Sequence, residues 1–188
     1  DGRYISGFGT KGSGPGEFDM PWGIAVNGEG DIFVVDWHND RVQKFNADGE
    51  FIMEFGSSGS GDGEFNRPAG IEIDHHGDIY VADRGNNRVQ QFAPDGRYVD
   101  KFIGDATLSK SGETYVRANP AVLRNREMAN TEQQKRFRGP AVLRFDNDGR
   151  MYVPDFGSHR IQVYKKQAYP LTPDDIAPVP NHPTLYTV

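Results

Sequence analysis

Residues 7–12 read Gly-Phe-Gly-Thr-Lys-Gly, the Gly-x-Gly-x-x-Gly lettering of a loop that wraps a phosphate, with a lysine placed to pair the anion. That chemistry needs a strand before the loop and a helix opening at its last glycine, because the helix N-terminus supplies the amides and the dipole. Here Gly12 is followed by Ser-Gly-Pro-Gly-Glu-Phe-Asp-Met-Pro, which leads into another strand pattern. No nucleotide and no other cofactor is expected. The five histidines are His38, His75, His76, His159 and His182. Two adjacent ones sit in a turn and no third partner joins His38 and His159, so no metal site is expected. No Ser/His/Asp constellation emerges either, and no catalytic residue is assigned.

Two charged residues recur at fixed spacing. Asp36, Asp83 and Asp155 are each followed five residues later by an arginine, Arg41, Arg88 and Arg160. A ring of such charges suits a ligand. Recurrence in every copy favours a structural role instead, a turn-closing carboxylate with an arginine that ties strands or blades.

The elements that carry these residues repeat. The stretch from Asp1, Asp-Gly-Arg-Tyr-Ile-Ser-Gly-Phe-Gly, aligns without a gap on Asp-Gly-Glu-Phe-Ile-Met-Glu-Phe-Gly from Asp48, and Asp-Gly-Arg-Tyr-Val-Asp-Lys-Phe follows from Asp95, an offset of 47 residues each time. Gly-Asp-Ile-Phe-Val-Val-Asp from Gly30, Gly-Asp-Ile-Tyr-Val-Ala-Asp from Gly77 and Gly-Arg-Met-Tyr-Val-Pro-Asp from Gly149 form a second series. The last two lie 72 apart, so 25 residues are inserted before the third. Each unit holds four short apolar or alternating runs, in the first full copy Gly23 to Val26, Ile32 to Asp36, Arg41 to Phe45 and Phe51 to Phe55. Four antiparallel strands in about 45 residues make one propeller blade.

The pattern Pro-x-Gly-Ile, Gly-Asp-Ile-Tyr-Val-Ala-Asp, Asn-x-Arg-Val-Gln and Asp-Gly resembles the NHL repeat. That resemblance implies an all-β, six-bladed β-propeller with four-stranded antiparallel blades over residues 1–166. The residues themselves add a helical insertion at about 105–139 and a Pro-rich extended tail at 167–188. Residues 1–9 are expected to form one outer strand, for twelve strands in all. Three blades are fewer than a ring requires, so an N-terminally truncated chain with about three blades upstream is expected ahead of a two-chain ring or completion by another subunit.

Connections in an up-and-down blade sort by parity onto two faces. One face receives tight Asn/Asp-Gly turns. The other receives longer, variable loops, where binding on a rigid scaffold usually sits. There Trp37, His38, Arg84, Asn86, Phe156 and His159, with Trp22 after the first Pro, are the candidate binding residues. Glu72 and Arg144 share an innermost-strand position and are expected as a pair lining the channel. In the insertion, Asn119 and Pro120 signal a helix start and Gly139-Pro140 its end, with Val122, Leu123, Met128 and Phe137 as a loose apolar stripe. Its Arg124, Arg126, Lys135, Arg136 and Arg138 suit an acidic protein partner.

Charge is distributed unevenly. The formal net charge is -6, yet residues 105–139 carry seven Lys/Arg against four Asp/Glu, a local +3 that leaves -9 elsewhere. General attraction to nucleic acid is not expected from that balance. No cysteine is present and no apolar run reaches membrane-spanning length. An exported, periplasmic or extracellular setting is slightly favoured. NHL-like propellers include peptidyl-hydroxyglycine lyases, which carry a zinc-binding His directly after the Pro of the Phe-x-x-Pro connection. Here Trp22, Ala69 and Ala141 follow Pro21, Pro68 and Pro140. The leading expectation is therefore a non-enzymatic scaffold for protein or ligand binding. A metal-dependent lyase or hydrolase with its ligands on other blades, and an RNA-binding NHL domain, are the alternatives.

Overall fold

The structure, a computed structural model, describes residues 2–107, 110–128 and 132–166. The expected tail at 167–188 lies outside the described residues. A short parallel pair, β1 (Thr10–Lys11) and β2 (Glu17–Phe18), precedes three antiparallel sheets. Blade 1 is β3 (Pro21–Val26), β4 (Ile32–Asp36), β5 (Arg41–Phe45) and β6 (Phe51–Phe55), hydrogen-bonded in chain order. Blade 2 repeats it with β7 (Pro68–Ile73), β8 (Ile79–Asp83), β9 (Arg88–Phe92) and β10 (Tyr98–Phe102). Blade 3 has β11 (Arg144–Phe145), β12 (Arg150–Asp155) and β13 (Arg160–Lys165).

The expected strand at residues 1–9 does not form: residues 2–9 carry no strand. A strand needs a ladder partner, and no inner strand of that blade lies among the described residues.

Tight turns on one face share one device. Asn27, Asn46, Asp74 and Asp146 each accept backbone N–H groups two and four residues ahead on the side-chain oxygen, at 2.8–3.1 Å. The glycine that completes each turn, Gly30, Gly49, Gly77 or Gly149, adopts φ between 71° and 90°. A side chain there would cost about 1–3 kcal/mol of left-handed strain.

Blades stack through apolar faces. One cluster joins Phe33, Val35 and Val42 of blade 1 to Phe65, Ile71, Ile79, Val81 and Phe92 of the next. A second joins Tyr80, Ala82 and Val89 of blade 2 to Phe137, Leu143, Met151 and Val153. The central strands are therefore covered on both sides, which is why Phe33-Val34-Val35 reads as an unbroken apolar run rather than an alternation.

The insertion is three helices, not one: α1 (Lys110–Ala118), α2 (Pro120–Met128) and α3 (Glu132–Lys135). Asn119 closes α1, its N–H bonding the Val116 carbonyl at 3.2 Å and its side-chain amide the Tyr115 carbonyl at 2.7 Å, and Pro120 then opens α2. Phe137 does not join a helix stripe. It occupies the blade joint, fully buried, at the position Phe18 and Phe65 hold in the other Phe-x-x-Pro connections. Burying a phenylalanine is worth about 2–3 kcal/mol, against less than about 1 kcal/mol of helix propensity for one residue, so the helix gives way before it. The five basic residues accordingly do not share one helix. Arg124 and Arg126 lie on α2 and Lys135 ends α3, whereas Arg136 and Arg138 belong to the connector entering blade 3.

Candidate functional site

The loop-rich face is built on a polar clamp that recurs in each blade. In blade 2, Asp83 is fully buried at the end of β8. One carboxylate oxygen accepts the Asn66 N–H at 2.9 Å, and the other accepts Asn86 Nδ2 at 2.9 Å, Arg88 Nε at 2.7 Å and Gln90 Nε2 at 3.2 Å. Arg88 spends its remaining nitrogens on the carbonyls of Ser60, Gly61 and Glu64 at 2.7–3.0 Å. These carbonyls belong to the connector arriving from blade 1, so the arginine ties one blade to the strand leaving its neighbour.

Asp36 with Arg41 grips Ser13, Gly14 and Glu17 in the same way, and Asp155 with Arg160 grips Gln134, Lys135 and Arg136. The amides of the first glycine-rich loop are also engaged within the chain: Gly14 N–H bonds the Glu17 carboxylate at 2.9 Å and Gly16 N–H the Gln43 side chain at 2.8 Å. A phosphate would have to displace both.

Clamped this way, equivalent residues of successive blades arrive at equivalent places. The residue before each inner-strand proline, Met20, Arg67 or Gly139, turns the chain with φ of 60°, 52° or 69°. The residue after that proline (Trp22, Ala69, Ala141) and the residue after each clamp aspartate (Trp37, Arg84, Phe156) then line one depression of about 320 Å³ together with Gly139. Trp22 and Trp37 pack with ring centres 5.6 Å apart, and His38 stacks on Trp37 at 4.5 Å while its Nδ1 lies 3.4 Å from Asp19. The Arg67 guanidinium sits 4.7 Å over the Trp37 ring, a contact that sequence reasoning did not single out.

Four candidate residues thus converge: Trp22, Trp37, Arg84 and Phe156. Asn86 does not join them, because its amide donates to Asp83 and to the Gly59 carbonyl at 2.8 Å. His159 takes the left-handed turn position, φ 52°, that Asp40 and Asn87 hold in the other blades, and its exposed ring lies outside the depression. Glu72 and Arg144 form an ion pair between the innermost strands of blades 2 and 3. The Arg84 guanidinium makes no hydrogen bond or ion pair among the described residues. A cation without a carboxylate, walled by aromatic rings, can hold an anionic group against an apolar one.

The opposite face carries a second polar cluster. Lys166 bridges Asp74 at 2.8 Å and Asp78 at 2.6 Å, and Tyr80 donates to Asp74 at 3.3 Å. Burial alone would push the Asp74 carboxyl up, but the Lys166 ammonium and the His76 and Asp78 amides outweigh it and hold it below the ordinary carboxylate value. Burial and the neighbouring carboxylates push the Tyr80 phenol well above its usual range, so it stays a donor. Among the described residues no group of three His, Cys, Asp or Glu is placed to hold a metal ion.

Four-stranded antiparallel sheets in chain order, stacked face to face through their apolar sides, define a β-propeller. A protein-family model described as a 6-bladed beta-propeller matches residues 24–109. Over 41 residues, 22% of this chain, the sequence is 51% identical to Protein lin-41 of Caenorhabditis elegans. Over 44 residues, 23% of this chain, it is 43% identical to the E3 ubiquitin-protein ligase TRIM71 of Rattus norvegicus. The matched stretch spans 4% of the first and 5% of the second. Among solved structures, streptogramin B lyase is 12% identical, with 79% of this chain and 41% of that one covered and a TM-score of 0.47. The calcium-binding protein regucalcin of Agrobacterium tumefaciens is 15% identical, with 73% and 38% covered and a TM-score of 0.46.

Proposed function

We propose that this chain belongs to an NHL-type propeller acting as a non-enzymatic binding scaffold, whose loop face takes a segment of another protein. The observation that carries this reading is Arg84, unpaired among the described residues, beside Trp22, Trp37 and Phe156. The ligand chemistry that fits is an apolar or aromatic side chain inserted between the rings, beside a carboxylate that pairs with Arg84. Arg67 over Trp37 adds a second positive charge at the rim. In a protein of net charge -6, two arginines at one apolar depression select for an acidic ligand locally where the whole molecule does not. The arginines and lysine of the insertion extend the same preference to an acidic partner surface. No helix among the described residues is long and apolar enough to cross a membrane.

Trp22 and Trp37 are the two tryptophans of the chain, so intrinsic emission reports this depression directly. Titration with an acidic peptide bearing a central phenylalanine is expected to change the emission saturably. The change should vanish in Arg84→Glu, and a lysine-rich version of the peptide should leave it flat. An equal response in Arg84→Glu would refute the reading. Tight, salt-steep binding of single-stranded RNA, with no response to the peptide, would replace it by the nucleic-acid alternative.

A further inference from the structure

Four hairpin turns share one cradle, and one of them holds a reactive pair. Asn27, Asn46, Asp74 and Asp146 open these turns, and in each the side-chain oxygen accepts the backbone N–H groups two and four residues ahead. The residue that follows is Gly28, Ala47, His75 or Asn147. Asn27-Gly28 is the one place in the 188-residue sequence where a carboxamide side chain precedes a glycine.

Three features of this turn favour attack of the Gly28 backbone nitrogen on Asn27 Cγ. Gly28 is exposed, and a Cβ built on it would meet nothing within 4 Å, so neither a side chain nor a neighbour stands in the way. Its N–H makes no hydrogen bond among the described residues, so the nucleophile is not withheld. Asn27 Oδ1 accepts the Glu29 N–H at 3.0 Å and the Asp31 N–H at 2.8 Å. These are two fixed donors at the oxygen on which negative charge develops as Cγ becomes tetrahedral. The Nδ2 group that must leave is held by one long hydrogen bond, to Asp31 at 3.3 Å.

We propose that Asn27 is a site of spontaneous deamidation in the folded protein. The Gly28 nitrogen loses its proton and bonds Cγ, the Cγ–Nδ2 bond breaks, and ammonia leaves with a proton taken back from solvent. Water, the sole co-reactant, then opens the five-membered imide. Attack at Cγ returns an aspartate. Attack at the main-chain carbonyl carbon gives isoaspartate, in which the main chain runs through Cβ and Cγ and is one atom longer.

The fold accepts the first product and not the second. Asp74 and Asp146 already fill this position with carboxylates that hold the same two amides. The neighbouring charge is accommodated as well. Asp74 and Asp78 stand at the first and fifth positions of their turn with Lys166 at 2.8 and 2.6 Å, and in the turn of blade 1 Lys44 stands 2.7 Å from Asp31. Isoaspartate lengthens a turn that is closed by the Gly30 N–H on the Asn27 carbonyl and the Asn27 N–H on the Asp31 carbonyl, at 3.1 and 3.0 Å, and breaks the register that pairs Val26 with Ile32. Asn27 and Gly28 also line a cleft of about 410 Å³ between blades 1 and 2, with Lys44, His75 and His76 on its walls. Either product adds one negative charge there, beside two histidines.

Peptide mass mapping of the full chain, incubated at mildly alkaline pH, reads each conversion as replacement of NH2 by OH. Asn27 is expected to convert within about threefold of the rate of a free Val-Asn-Gly-Glu peptide, and Asn46, in the same cradle before Ala47, at least about tenfold more slowly. Gly28→Ala puts its methyl into open space and should slow Asn27 to the rate of Asn46 with an unchanged Tm. Asn27→Asp should melt with the parent. Conversion of Asn27 more than about tenfold slower than the free peptide overturns the proposal, because the turn then protects its asparagine. Equal rates at Asn27 and Asn46, or a Gly28→Ala chain that converts like the parent, overturn the role of the glycine. An Asn27→Asp chain that melts below the parent overturns the accommodation of aspartate.

Discussion

Replacing Arg88 by methionine removes the centre of the blade 2 clamp while keeping most of the apolar stem. The side chain is 6% exposed and Asp83 is 0% exposed, so water cannot take the place of the guanidinium at the carboxylate. The carbonyls of Ser60 and Gly61 are a different matter, since both residues are exposed and water can replace the arginine there. The loss is therefore dominated by a stranded buried charge, which costs about 3–5 kcal/mol. The Glu64 carbonyl adds about 1 kcal/mol at most. For a chain of this length each kcal/mol lowers Tm by about 2–4 °C, so Arg88→Met should melt about 6–20 °C below the parent. Arg160 makes the same bonds but is 28% exposed. Arg160→Met should cost less, about 2–3 kcal/mol, because the partly exposed guanidinium leaves a space that water can enter, although the Asp155 carboxylate is itself 0% exposed.

Urea unfolding followed by circular dichroism, with m-values compared, separates the two variants. Adding Asp83→Asn to Arg88→Met removes the stranded charge and should recover about 1 kcal/mol or more. The reasoning fails if Arg88→Met stays within about 1 kcal/mol of the parent, if Arg160→Met costs more than Arg88→Met, or if the double variant is less stable than Arg88→Met alone.

Gly56→Ala should cost about 2–3 kcal/mol, because φ is 92° and the added Cβ would strike the buried Phe65 ring. Gly30→Ala, at φ 90° with its nearest neighbour atom 3.8 Å away, should cost about 1 kcal/mol from strain alone, and equal midpoint shifts would contradict the role of Phe65. Asp74 titrates below 3.8 in the fold, so its contribution is present above that value and is lost as pH falls through the lower folded value. Lys166→Gln should therefore be less stable than the parent at neutral pH, with the gap narrowing as pH drops through the carboxylate range. A gap in urea midpoints that stays constant with pH would rule this out. Arg144→Met breaks an ion pair whose arginine is well exposed and should change stability by less than about 1 kcal/mol.

The β-strands were legible because both signals that define them are local. Alternation and Asx-Gly turns bounded β4, β5 and β6 at the observed residues, and the observed β3 begins two residues before its expected start at Gly23. The insertion was less so. Its first helix, α1, contains Gly112, which weakens the helical signal, and the burial of Val116 is a tertiary effect that no local pattern announces. Phe137 misled for the same reason, since its spacing fits a helix while its repeat position, three residues before Pro140, fits the joint. Aligning Phe18, Phe65 and Phe137 would have exposed the conflict. Asn86, offered as a variable loop residue, does not differ between blades 1 and 2. Its true counterpart is Asn39, whose amide also bonds the clamp aspartate, at 2.8 Å.

Repetition and variation carry different parts of the protein's chemistry. Asp, Arg and Gln recur in every blade because they fix where the connector and the inner strand run, and a clamp that holds backbone carbonyls is indifferent to the side chains alongside. Positions 22, 69 and 141, and positions 37, 84 and 156, are therefore delivered to one place by identical machinery with different contents. Two tryptophans, a phenylalanine and an arginine unpaired among the described residues arrive there from three blades without any loop being specialised to bring them. A site formed this way is altered by surface substitutions that leave the clamp intact, so loss of binding and loss of stability should separate cleanly. Arg84→Glu should abolish the tryptophan response with an unchanged melting temperature, whereas Arg88→Met should lower the melting temperature and disturb the response only through the strand it releases.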